Sequence, residues 1–308
     1  MCYTEAGHTL NTKTVDRWMD VQYCLEHIRS RFPDLAIQHV VPITEGWDSL
    51  VLEINGEWIF RFPRRPAVAA QHRKEIALLP ALANLLPVHL PCFDYVAAEF
   101  VGYRKIEGAQ LAGRHITSEN KAGIAGQLAD FLAALHRFPV EQAAELGLPY
   151  GSPVAWRQKY VGLQHRTTEL LAAHLSAAEK QRLDHFWERH WQNERHFQFS
   201  PTLIHGDLTG DHVLYDPASG SITGIIDWGD AAIGDSALDF AGFVWDYGKR
   251  FAEAVAQTYT PETDSHFMER AGFYAHIVPL YIVEHGIVTE NAADLARGIE
   301  RVKRYLLR

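Results

Sequence analysis

The chain has 308 residues, 47% hydrophobic and 22% charged, so a packed core is expected and global disorder is excluded. Thirty-eight acidic side chains against 29 basic ones leave a net charge of −9, with no excess of Lys or Arg to neutralise a nucleic-acid backbone. Three scattered cysteines (Cys2, Cys24 and Cys92) lack any C-x-x-C spacing, which points to a reducing compartment rather than a disulfide framework or a zinc cluster.

The opening residues MCYTEAGHTLNTK carry neither the basic flank nor the apolar core of a signal peptide. Val15, Trp18, Met19, Leu25 and Ile28 then trace one helical stripe, with Thr14 as its cap and Pro33 as its end. IQHVVPI, SLVLEI and EWIFRF read as three short strands, and Asn55-Gly56 between the last two predicts a hairpin. A helix is predicted over 66–86, followed by extended chain over 93–106. Helical patterning then dominates, over 120–137, 154–193, 235–259, 266–284 and 291–307. Only 200–230 interrupts it, with the short apolar runs HVLYD and ITGIID. The order predicts an α+β protein with a β-rich N-terminal lobe (1–103), a hinge (104–112) and a helical C-terminal lobe (113–308). The most apolar late stretch, broken by His276 and Pro279, falls short of the ~18 residues of a membrane span. A cytoplasmic monomer that binds neither membrane nor nucleic acid is expected.

The segment LIHGDLTGDHVLYDPASGSITGIIDWGD carries the chemistry. Asp207 sits in a turn after one short apolar run, and Asp227 follows another 20 residues later (227 − 207). Carboxylates ending two hairpin-paired strands would face one cleft. Phosphoryl transfer needs such a pair, one acid to accept the proton of the attacking hydroxyl and another to hold Mg²⁺ on the phosphates.

The HGDL and DWG turns resemble the protein-kinase set H-R-D-L-x-x-x-N and D-F-G. The form is that of the aminoglycoside phosphotransferase family, and GEWIFRFPRR, HRKEIALLPAL, FVGYRKIEGAQL and GIIDWGDAAIGDSALDF extend the likeness over most of the chain. The aminoglycoside 2''-phosphotransferases come nearest and the macrolide 2'-phosphotransferases second. The resemblance implies a protein-kinase-like bilobal fold. It also implies transfer of the γ-phosphoryl of ATP or GTP, with Mg²⁺, to a hydroxyl of an aminoglycoside-type antibiotic, with a macrolide or another sugar-like metabolite as the alternative acceptor.

By position, the resemblance makes Asp207 the catalytic base, Asp227 the main Mg²⁺ ligand and His205 a brace of the catalytic loop. His212 stands where the general pattern has Asn. Imidazole suits Mg²⁺ poorly, so direct ligation, water-mediated contact and loop support all stay open. Alternation in EWIFRF puts Trp58, Phe60 and Phe62 on one face and Arg61 on the other, where the family has its nucleotide lysine. Glu75 is its implied ion-pair partner; the alternative is an exposed strand Arg beside an unrelated helix Glu.

The turn from Gly46 to Ser49 is placed to offer backbone N–H groups to the phosphates. Tyr103, Lys105 and Ile106 of the hinge are placed to meet a purine edge. Asp235 opens a helix as its cap, and the resemblance adds a contact to the catalytic loop. Candidates facing substrate are Asp230, Trp245, Asp246 and Glu284. An acidic wall suits an aminoglycoside, whereas the aromatics Trp245 and Tyr247 suit a macrolide. A nucleotide-binding pseudokinase is the rival of another class, favoured by Arg61 and His212.

Overall fold

The protein, described here as a computed structural model over residues 21–43, 46 and 48–307, divides into two compact units. The Thr14 cap and the first part of the predicted 15–28 helix lie outside the described residues; the helix α1 is seen over Val21–Arg31.

One unit takes residues up to Gln110 together with Val213–Asp230. Its sheet comprises β1 (Val40–Ile43), β2 (Ser49–Ile54), β3 (Trp58–Pro63), β4 (Phe93–Val96) and β5 (Val101–Arg104), in the order β1-β2-β3-β5-β4. All its pairings are antiparallel. The β2–β3 hairpin turns at Asn55 and Gly56, with φ of 58° and 70°, the two left-handed residues that a tight hairpin demands. Leu50, Leu52, Ile54, Phe60 and Phe62 alternate onto one face and bury against Cys24, Leu25 and Ile28 of α1. That face excludes Arg61, which points to the opposite side, where α2 (Pro66–Leu82) runs. Pro66 starts α2 at a position where its missing N–H costs nothing.

The strands β8 (Val213–Asp216) and β9 (Ser221–Ile225) form a hairpin, with β6 (Ala109–Gln110) added at its edge. His89 stitches β9 to this unit: its N–H donates to the Thr223 carbonyl at 3.1 Å and its carbonyl accepts from Ile225 N–H at 3.1 Å. The hairpin therefore groups with the strands, although the sequence division sets 113–308 apart as helical.

The other unit takes Leu111–His212 and Ala231–Arg308. Its helices are α3 (Lys121–His136), α4 (Val140–Glu145), α5 (Pro153–Leu171), α6 (Ala177–Gln192), α7 (Leu238–Tyr247), α8 (Lys249–Thr258), α9 (Phe267–Val288) and α10 (Ala292–Tyr305). The core holds Leu128, Phe131 and Leu132 of α3, with Phe240 and Phe243 of α7. The short strands β7 (Thr202–Ile204) and β10 (Ala232–Gly234) pair with each other.

Three expectations are corrected. The helix predicted over 154–193 is two helices, because Ser176 and Glu179 form a capping box that starts α6. The helix predicted over 235–259 also breaks, at Gly248 with φ of 85°. The strand before Asp207 is not the hairpin partner of the strand before Asp227: β7 pairs with β10, and β9 pairs with β8. A 3-10 turn at Gly210–His212 lies between β7 and β8 in the chain. Among the described residues no helix is long and apolar enough to cross a membrane.

Candidate active site

The loop that follows β7 carries Asp207. Gly206 adopts φ of 85°, a left-handed conformation that lets the chain turn at once after the strand. The buried His205 ring accepts the Asp207 N–H through Nδ1 at 3.4 Å.

A second brace comes from Asp239, fully buried in the first turn of α7. Its Oδ2 accepts from His205 N–H at 2.9 Å and its Oδ1 from Gly206 N–H at 2.8 Å. His136 Nε2 lies 3.0 Å from the same carboxylate, and its Nδ1 lies 2.6 Å from the Tyr259 hydroxyl. With Nε2–H donating to Asp239, Nδ1 accepts from Tyr259. Burial pushes the Tyr259 hydroxyl up, which keeps that donor protonated.

Asp246 Oδ2 accepts from Gly210 N–H at 2.7 Å, and the Tyr247 hydroxyl donates to the Leu111 carbonyl at 2.5 Å. At Gly242 any Cβ would lie 1.9 Å from the Leu208 carbonyl oxygen, so only glycine lets α7 approach the loop this closely. Held in this way, Asp207 keeps its side chain 40% exposed.

His212 ends the loop with Nδ1 2.6 Å from the Asp207 carbonyl and 3.8 Å from its carboxylate. A proton on Nδ1 makes this a donated hydrogen bond across the turn, which fits loop support and leaves only Nε2 with a lone pair for any cation. Asp235 does not make the loop contact expected of it. It caps Ala237 N–H at 3.1 Å, but its carboxylate is otherwise held by Arg270 Nε at 2.6 Å and the Tyr274 hydroxyl at 2.8 Å. The acid one helical turn further on, Asp239, makes that contact instead.

Three of the four substrate candidates lie in this unit and all three are engaged. The Trp245 ring packs on Tyr305 at 5.3 Å with the Arg301 guanidinium 5.5 Å from it. Asp246 holds the loop, and Glu284, 5% exposed, pairs with Arg166 at 2.7 Å.

The other unit carries Asp227. Arg61 is 7% exposed and joins two carboxylates: Glu75 Oε2 at 2.7 Å and Asp227 Oδ1 at 3.1 Å. The reading of Arg61 as an exposed strand residue is thereby excluded. Burial works against the Arg61 charge, but Glu75 and Asp227 outweigh it and hold the guanidinium protonated. Burial pushes the Glu75 carboxyl up, and Arg61 opposes that shift.

Asp227 follows β9 with φ of 63°, an unusual conformation for a residue with a side chain. Around it, the buried Trp228 donates its Nε1–H to the Ile225 carbonyl at 3.0 Å. Lys74 Nζ donates to the Gly229 carbonyl at 2.9 Å, and Gln71 Nε2 donates to Asp230 Oδ1 at 3.3 Å. The Asp227 side chain is 45% exposed, and its hard oxygen donors fit a hard divalent cation.

Gly46 is exposed with φ of 134°, and Asp48 pairs with Arg65. Ser49 is buried, its Oγ 3.4 Å from His72 Nε2. Burial, with the Arg61 charge adding to it, holds the His72 imidazole down to about 3. Tyr103 is buried within the sheet, and burial pushes its phenol up to about 12. Lys105 has little left for a ligand: its N–H donates to the Glu57 carbonyl at 2.7 Å and its ammonium to Glu53 at 2.9 Å. The Ile106 backbone makes no backbone hydrogen bond among the described residues.

Sequence reasoning missed Asp239, His136, Tyr259 and Gly242. Asp239 was visible in GDSALDF without a role. His136 had no local signal, because its partners lie 103 and 123 residues along the chain.

Residues 39–269 match the model of the APH phosphotransferase enzyme family. The GDP and kanamycin complex of APH(2'')-IIIa is 29% identical, with a TM-score of 0.85 over 92% of this chain and 97% of that one. A macrolide 2'-phosphotransferase type I shares the fold at 23% identity and a TM-score of 0.76, over 91% and 96% of the two chains. Among curated sequences, the uncharacterized protein YcbJ of Bacillus subtilis (strain 168) is 26% identical over 66% of this chain and 67% of its own. The viomycin phosphotransferase of Streptomyces vinaceus is 27% identical over about half of each chain, 49% and 51%.

Proposed function

This chain belongs to the APH phosphotransferase enzyme family, and from that premise we propose that it moves the γ-phosphoryl of GTP or ATP to a ring hydroxyl of an aminoglycoside-type antibiotic. The observation that carries the chemistry is the pair of differently held carboxylates, Asp207 in its braced loop and Asp227 on Arg61. In this reading Asp207 accepts the proton of the attacking hydroxyl as the new P–O bond forms. Arg61, kept charged between Glu75 and Asp227, binds phosphate oxygens as the family lysine does. The Ile106 backbone meets the purine, and backbone N–H groups of the turn at Gly46 approach the phosphates.

Asp227 is the residue that would hold Mg²⁺, which when bound offsets charge on the β- and γ-phosphates. His212 serves as loop support, because its Nδ1 is committed to the Asp207 carbonyl. The pseudokinase alternative loses its first argument, since Arg61 forms the ion pair with Glu75 that a lysine would form. For the acceptor, similarity to a kanamycin-binding relative at 29% identity supports an aminoglycoside. The same relative's GDP supports GTP as the first donor to try.

The test is phosphate transfer from labelled GTP and ATP to kanamycin- and gentamicin-type compounds, a macrolide and viomycin, with Mg²⁺ present. Product with an aminoglycoside supports the proposal. Product with the macrolide or viomycin alone reassigns the acceptor, and nucleotide binding with no transfer to any acceptor favours the pseudokinase.

A further inference from the structure

Three side chains that phosphoryl transfer does not use converge where the 3-10 turn Glu194–Phe197 meets the start of α9. His196 Nε2 lies 3.4 Å from Glu269 Oε2, and His266 Nδ1 lies 2.8 Å from the same oxygen. The three potential ligand atoms all fall within 4.8 Å of one another. We propose that His196, His266 and Glu269 form a site for a zinc-like divalent cation, with water completing a four-coordinate shell.

Two imidazole nitrogens and one carboxylate are a borderline-soft donor set of the kind zinc takes. Magnesium prefers oxygen, so this ion is distinct from the one proposed at Asp227. Zinc bonds of about 2.0–2.1 Å set the edge of a regular tetrahedron at roughly 3.3 Å. His196 and Glu269 already stand at that separation. His266 and Glu269 must part by about half an ångström to reach the same edge. The Glu269 side chain is 59% exposed and free to make that adjustment.

An outer residue supports the geometry independently. His196 Nδ1 lies 3.2 Å from Nδ1 of His190, a residue 6% exposed whose ring stacks on Phe273 at 3.4 Å. A proton on His196 Nδ1, donated to this fixed acceptor, leaves the Nε2 lone pair directed at Glu269. A buried partner on the outer nitrogen is how proteins set the tautomer and orientation of a metal-binding histidine.

Opposing features set the affinity below that of a closed four-ligand site. Asn193 Nδ2 donates to His196 Nε2 at 3.0 Å and must turn aside. His266 Nε2 is buried with no hydrogen-bond partner, so its proton stays unsatisfied once Nδ1 is taken. The start of α9 also disfavours a cation, which the Glu269 carboxylate offsets. Micromolar affinity is therefore expected. The ion would tie the 194–197 turn to α9, and no activity is assigned to it.

Full-length protein stripped with a chelator is titrated with Zn²⁺ by calorimetry and with Co²⁺ by visible absorption. One Zn²⁺ per chain at micromolar affinity, a raised Tm and a Co²⁺ spectrum of tetrahedral type are expected. Glu269→Gln and His266→Asn should each weaken binding about tenfold or more while leaving Mg²⁺-dependent phosphotransfer unchanged. Wild-type protein without saturable zinc binding overturns the proposal. So does undiminished binding by both variants, which would mean an adventitious ion only, held elsewhere among the 17 histidines. Zinc binding is read without any acceptor, so failure of the proposed transfer reaction leaves this test intact.

Discussion

Two regions hold the carboxylates of the candidate site by opposite means. The Asp207 loop rests on neutral donors: backbone N–H groups of His205 and Gly206 on Asp239, and of Gly210 on Asp246. The Asp227 turn rests on charge, with Arg61 buried between Asp227 and Glu75. The difference fits the tasks proposed for the two acids. For a carboxylate proposed as a base, this arrangement fixes the backbone and leaves the side chain partly exposed, with the His212 ring 3.8 Å away. For an acid proposed to meet phosphate or a cation, a counter-charge is tolerated, and the Arg61 contact at 3.1 Å holds the carboxylate in place.

The widest gap between the regions should appear at Asp207 itself. Asp207→Asn is expected to lower kcat by ~10²–10⁴ while nucleotide affinity stays within a few-fold. Steady-state kinetics with any accepted acceptor checks this, and near-normal turnover removes Asp207 from the mechanism. Arg61→Met comes next, because it leaves the buried Glu75 carboxyl without its partner. A loss of about 3–5 kcal/mol is expected by chemical denaturation, with Arg61→Met/Glu75→Leu regaining much of it. A loss below about 1 kcal/mol would mean that charge does not hold this region.

A smaller effect is expected from Tyr259→Phe, which leaves buried His136 Nδ1 without its donor. The loss should be about 1–3 kcal/mol, with a lowered kcat and little change in nucleotide affinity, since the brace runs through Asp239 to the Asp207 loop. Unchanged kcat would detach that relay from the loop.

A last effect concerns pH, and near neutrality it is the smallest. His72 is held neutral in the fold, with its pKa lowered from 6.5 to about 3. Below 6.5 the unfolded chain takes up a proton that the folded one refuses, so stability is full above that pH and falls as pH drops toward 3. One such group contributes up to about 1.4 kcal/mol per pH unit in that window. His72→Gln should flatten the slope of stability against pH between 6.5 and 5. An unchanged slope would show that His72 titrates normally.

Much of this was legible from local pattern. HGDL and DWG mark both acids, and Asn55-Gly56 marks a hairpin because φ above zero leaves few residue choices. Alternation in EWIFRF separates Arg61 from the three aromatics because the strand period is two. The capping box at Ser176 is equally local, but the helical pattern running through 154–193 on both sides masks it.

What the sequence by itself determined, then, is the family, the two acids and the period of each element, all properties of residues a few positions apart. Only the tertiary structure decided which strands pair, that Asp239 rather than Asp235 braces the loop, and that Glu284 is occupied by Arg166. It also decided that the hairpin of β8 and β9 groups with the N-terminal strands. The physical reason is reach. His136 meets Asp239 across 103 residues, and Arg61 meets Asp227 across 166, so no local period or propensity encodes the partner.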